Sequence, residues 1–168
     1  PASPRRSTVH SPALIKLIGI TVSSVVIDYV VDRTYKTVDH AMQTTHNDRS
    51  KSVHDVGRSG FTMFVSRVMY RAGVTAATLL TALVYIDRSR PHLCIAVEKW
   101  ALERVFLGAL IVASKYTNDS PLKNVHWATC TGVFHKRDIG RIEREFLEVL
   151  DWELGFSEGD LLAHYEGL

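Results

Sequence analysis

The stretch "RIEREFLE" sets Glu143, Glu145 and Glu148 among Arg141 and Arg144. Two carboxylates held close together are the usual tool of general acid–base chemistry, one protonated and one ionised. The interleaved arginines instead supply i,i+3 and i,i+4 partners, so the segment reads as the charged face of a helix. The eight histidines are scattered: none makes HExxH, and none joins Cys94 or Cys130 at zinc spacing, so no metal and no cofactor is expected. His126 reads as a surface or packed histidine, and Trp127 and Trp152 as core residues. Glycine-rich phosphate loops and GxSxG are absent, so an enzyme is not expected. One cation draws the eye instead. Lys115 lies where the apolar run "LGALIVASKYTND" gives out. A lysine there either faces the unpaired carbonyls of a helix C-terminus or belongs to a surface that grips another protein.

The chain that must position these residues has 168 of them, enough for one domain with a sizeable core. Its 20 basic and 18 acidic side chains leave a formal charge of +2, too near balance to suggest a nucleic-acid binder on charge alone. Cys94 and Cys130 are far apart with no CxxC pattern and read as reduced thiols of an intracellular protein. Membrane insertion is not expected, because no apolar run approaches the ~18 residues a span needs. Arg5 and Arg6 precede "ALIKLIGITV", but Lys16 interrupts that run and no small-residue cleavage site follows, so it does not read as a signal peptide. The first and last residues look cut from a longer chain.

The periodicity is helical throughout. Residues 1–20 begin polar and proline-rich and read as a tail, largely disordered at its start. In 21–45 the valines favour strand by propensity, yet Ile27, Val30, Val31, Thr34, Val38 and Ala41 recur at helical spacing, which predicts a helix capped by Ser23 or Ser24. Residues 46–60 form a polar loop. From Phe61 the signal sharpens: Phe61, Phe64, Val65, Val68 and Met69 define one helix face, and Gly73 ends it. Further helices are predicted over about 75–88, 99–116, 122–131 and 138–154. The one over 99–116 is apolar nearly all round and should be buried on most sides, with Gly108 and Ala109 allowing a neighbouring helix close. In the last, Ile139, Ile142, Phe146, Val149 and Leu150 form the inner face. Residues 155–168 add a short C-terminal extension.

Read in order, "ALVYIDRSRP", "RVFLGALIVASKYTNDSPLKNVHW" and "RIEREFLEVLDWEL" resemble the cyclin box over residues 61–154. They are most similar to the fungal PCL class of cyclins, which pair with the cyclin-dependent kinase of the phosphate-response pathway, and within it to the G1 cell-cycle subgroup. The resemblance implies an all-α fold: a single five-helix cyclin box whose third helix is central, with an additional N-terminal helix and the short C-terminal extension. It also implies residue roles. Lys115, in "ASK" at the end of the third box helix, matches the cyclin lysine that contacts the kinase. Glu143, in "RIERE", matches its glutamate partner. Asp87, in "YIDR", matches the aspartate that pairs with an arginine to brace the box, and counting back without gaps places that arginine at Arg58.

The implied function is a regulatory subunit without chemistry of its own. It would bind and activate a phosphate-pathway cyclin-dependent kinase, with that kinase's substrates as further partners, control cell-cycle entry or polarity, and reside in nucleus and cytoplasm. Ser3 and Ser11 each precede proline and are possible phosphorylation sites for such a kinase. One departure matters. Many cell-cycle cyclins dock substrates through an "MRAIL"-like stretch on the first box helix, and here that helix reads "MFVSRVMYRA", without a match. The runner-up reading is a cyclin-fold module for transcription-factor assembly or nucleic acid, which would want a basic stripe, whereas the basic residues here are interspersed with acids.

Overall fold

The computed structural model describes residues 10–45, 56–95 and 99–168. Its elements run α1 (Pro12–Ile18), α2 (Ser24–Thr45), α3 (Val56–Ala72), α4 (Ala76–Ser89), α5 (Ala101–Thr117), α6 (Asn124–Thr131), α7 (Lys136–Val149) and α8 (Glu158–Leu162), then a 3-10 turn at Tyr165–Gly167. No strand occurs among the described residues. The all-α expectation stands, and α3 to α7 supply the five helices of the box.

The valine-rich segment folds as helix because its β-branched residues share one face. Val26, Val30, Val31, Thr34, Val38 and Ala41 are buried there, and that tertiary burial overrides their mild strand preference. α5 is the axis of the molecule. Val105 through Ser114 are buried without a break, and α2, α3, α4 and α7 all pack on it. Two features of α5 permit this. From Val105 to Ala113 its side chains are apolar on every face, and Gly108 lets α7 come close enough that an added methyl would lie 2.8 Å from Phe146 Cβ. Edge-to-face aromatic contacts tie α3 to this axis: Phe61 and Phe64 both meet the Phe106 ring.

Several boundaries differ from the sequence reading. α1 forms inside the stretch expected as tail: Ser11 caps it, its Oγ accepting from Leu14 N–H at 3.2 Å, and Pro12 starts the first turn. Leu14 and Leu17 then bury themselves, one part of what holds so short a helix in place. α3 begins at Val56 rather than Phe61, carrying Arg58 into the helix. α7 stops at Val149, not Leu154, because Asp151 and Trp152 take left-handed φ of 52 and 59°. The Trp152 N–H reaches back to Leu147 O at 3.0 Å, closing the helix end. That turn throws Trp152 outward, 62% exposed, contrary to its expected core role, whereas Trp127 is buried as expected.

The last segment is folded against the box. Tyr85 donates to Leu154 O at 2.8 Å, and Arg88 donates to Glu153 O and Gly155 O at 2.7 and 2.9 Å. Burial pushes the Tyr85 phenol well above its ordinary range, so it stays a donor. Glu158, at the start of α8, accepts the Ser11 N–H at 3.2 Å and so joins the two ends of the described chain.

Candidate protein-docking site

Lys115 sits in the last turn of α5 and Glu143 in the middle of α7. The close α5–α7 packing brings them together although they are far apart in sequence. Lys115 Nζ donates to both carboxylate oxygens of Glu143, at 2.9 and 2.7 Å, and to Asn124 Oδ1 at 3.0 Å. These three bonds use every donor an ammonium has. The Asn124 amide also lies 3.5 Å from Glu143 Oε2, so the first residue of α6 braces both charges. The pair is neither buried nor free: the side chains keep 33% and 17% of their exposure. Tyr116, next in sequence to Lys115, is exposed, and Leu147, one turn after Glu143, is at the edge of burial. The Tyr116 ring in turn meets Phe156 edge-on at 6.0 Å.

Such an arrangement suits recognition. The lysine is not spent on capping α5, since its bonds go to other helices. A partner offering carbonyls and N–H groups at this edge would find a cation and a carboxylate already fixed in place, with rotamer entropy largely lost before binding. Asn124 was missed in the sequence. Nothing in "LKNVHW" marks it, because its role depends on where α6 starts relative to α7.

The bracing ion pair is built differently from the expectation. Asp87 pairs with Arg33 of α2, not with Arg58: Arg33 Nε and Nη2 reach Asp87 Oδ1 at 3.1 and 2.5 Å. Arg58 pairs with Asp32 and lies over the Tyr35 ring, 5.5 Å from its centroid. The reason is topological. α2 packs against both α3 and α4, and consecutive residues lie about 100° apart around it, so Asp32 reaches Arg58 of α3 while Arg33 reaches Asp87 of α4. The other oxygen of Asp87 faces His164 Nε2 at 3.2 Å, and the Tyr29 hydroxyl meets His164 Nδ1 at 2.8 Å. His164 is 2% exposed, and burial holds its pKa below the ordinary imidazole value, against the pull of Asp87 and with a push from Arg33. This network clamps α2, α4 and the C-terminal extension together.

Of the two serines, Ser11 is half-buried at the α1 cap, and Ser3 lies outside the described residues. Cys94 is exposed and Cys130 buried, both as free thiols. Among the described residues no group of histidine, cysteine and acidic side chains is placed to hold a metal, and no helix is long and apolar enough to cross a membrane.

The helices thus pack around one buried central helix, with the lysine–glutamate pair at the edge where α5 meets α7. The chain belongs to the cyclin family: the family model for the cyclin N-terminal domain matches residues 26–155. It is similar to PHO85 cyclin-1 of Saccharomyces cerevisiae, 29% identical over 163 residues, covering 95% of this chain and 58% of that protein. PHO85 cyclin-2 of the same yeast is 38% identical over 106 residues, covering 61% and 34%. Cyclin-P1-1 of Oryza sativa subsp. japonica is 32% identical over 103 residues, covering 60% and 38%. These relatives point to the PCL type within the family. The chain spans between about a third and three fifths of their lengths.

Proposed function

We propose that this chain is the regulatory subunit of a cyclin-dependent kinase of the phosphate-pathway type, and that it grips the kinase through Lys115 and Glu143. The observation that carries this reading is the partly exposed, Asn124-braced pair at the α5–α7 edge. The yeast relatives bear the name of PHO85 cyclins, which supports the choice of kinase class. The subunit does no chemistry. Docking exchanges the neutral Asn124 bond of Lys115 for a carbonyl of the kinase's mobile helix, while Glu143 accepts a neighbouring N–H. The kinase is thereby held in the conformation whose own Lys–Glu pair orients ATP, because the subunit binds that conformation better than the inactive one. Its setting is cell-cycle entry or polarity control, in nucleus and cytoplasm, with the kinase's protein substrates as further partners. Ser11, and Ser3 in the preceding segment, are phosphorylation sites of the same complex.

The test is co-expression with the phosphate-pathway kinase, followed by co-purification and kinase assay for wild type, Lys115→Ala and Glu143→Ala. Circular dichroism checks that both variants fold. Loss of a bonded partner from a closing polar interface is expected to cost about 2–5 kcal/mol, so both variants should lose activation by well over tenfold. Activation unchanged in both variants would return Lys115 to a purely structural role. No binding by wild type would remove this kinase as the partner.

A further inference from the structure

The charged face of α7 is not paired as its sequence suggests. Three of its four acids are engaged by groups other than its own arginines. Asp138 accepts the His135 N–H at 3.0 Å, Glu143 is held by Lys115, and Glu145 takes Arg104 of α5 at 2.5 Å. The basic residues are left over. Arg137, Arg141 and Arg144 are exposed, and among the described residues no acidic side chain pairs with any of them. At 3.6 residues per turn the three lie within about 60° of one another around the helix and span about 10 Å along it. Exposed Lys136 lies off the stripe, only about 20° around the helix from Glu143. Glu148 closes the stripe at its C-terminal end.

We propose that this stripe is a docking strip for an acidic, Asp/Glu-rich segment of the proteins that the kinase complex acts on. The proposal rests on the kinase-subunit reading above. Three guanidiniums present planar forks that match carboxylates two bonds at a time, and their unpaired state lets an incoming acid bind without first breaking an internal ion pair. The stripe also has the right place. Its residues are rotated about 100° or more around α7 from Glu143, so a kinase seated on Lys115 and Glu143 leaves the stripe open beside it. A docking route on this helix would stand where the missing "MRAIL"-like stretch leaves a gap. A polypeptide is favoured over nucleic acid because the strip is short, bounded by Glu148 and set in a chain of net charge +2.

The probe is a fluorescein-labelled peptide of about ten residues, alternating glutamate and serine, a length that overspans the stripe when extended. Anisotropy titrations of the purified chain would compare it with its glutamine counterpart, a phosphoserine counterpart and single-stranded DNA of matched charge. The glutamate peptide should bind and the glutamine peptide should not. Arg137→Ala/Arg141→Ala/Arg144→Ala, all at exposed positions, should weaken binding about tenfold or more. Lys115→Ala should leave peptide binding intact while abolishing kinase co-purification, and the triple variant should do the reverse, so the two proposals fail separately. In the kinase complex, the triple variant should raise KM for a substrate carrying the acidic segment with kcat unchanged. Equal peptide binding by wild type and triple variant would overturn the strip. So would DNA binding more tightly than the glutamate peptide, or binding confined to the phosphoserine peptide.

Discussion

A methyl group on Gly108 would land 2.8 Å from Phe146 Cβ and about as close to its ring. Both residues are buried, and the clash is with the Phe146 Cβ, which the α7 backbone fixes and no side-chain rotation can move. Overpacking of this kind typically costs about 1–3 kcal/mol, so Gly108→Ala should lower the thermal midpoint by several degrees for a chain of this size. It should also weaken kinase binding, since any α5–α7 separation pulls Lys115 from Glu143; calorimetry and co-purification on the same sample check both. An unchanged midpoint would mean that the helices are not in contact at this point. Gly108 and Lys115 were both legible in the sequence, one as a small residue in an all-apolar run and one as the charge that ends it. Asn124 was not, and neither was the diversion of Glu143 and Glu145 to α5. Spacing along one helix predicts which partners are within reach, and it is blind to a better partner on the next helix.

At the scale of elements, the clamp on Asp87 carries two expectations. Arg33 and Asp87 are both about a third exposed, whereas Arg58 and Asp32 are nearly half exposed. Arg33→Ala also strands a carboxylate beside the buried His164, so it should cost about 1–3 kcal/mol, against ~1 or less for Arg58→Ala. Denaturant titration should show that order, and the reverse order would restore Arg58 as the brace. The second expectation concerns pH. Burial lowers the folded pKa of His164 below its unfolded value of 6.5. The unfolded chain therefore takes up a proton first as pH falls, and the stability contributed by neutral His164 is present above 6.5 and lost progressively below it. The groups facing this imidazole are Tyr29 and Arg33 from α2 and Asp87 from α4. Denaturation midpoints at about pH 7 and 5.5 should differ more for wild type than for His164→Gln, and equal differences would show that other groups dominate. The arginine was misassigned because the partner came from α2, outside the five-helix box, where counting along the box could not reach it.

For the whole molecule, the buried core was readable because its logic is one-dimensional: an apolar run without a polar face can only be a central helix. The closure of the two ends was not, because it rests on short polar links between distant segments. Ser11 N–H meets Glu158, and Tyr29 meets His164. Gly167 approaches the Tyr29 ring so closely that no side chain fits there. α1 is too brief to be helical alone and depends on these contacts with α8 and on Leu17 in the core. Removing residues 157–168 should therefore unfold α1 as well, a segment at the opposite end of the sequence. Native-state hydrogen exchange would show it: amides of 14–19 should lose protection in the truncated chain, while those of α5 keep theirs, apart from the general loss set by lower global stability. The comparison is internal to one protein, so a uniform drop in stability cannot mimic it. If α1 stays protected after truncation, Leu14 and Leu17 hold it unaided and the extension is not its clamp. If protection collapses in α5 too, the extension is part of the core rather than a strap laid across it.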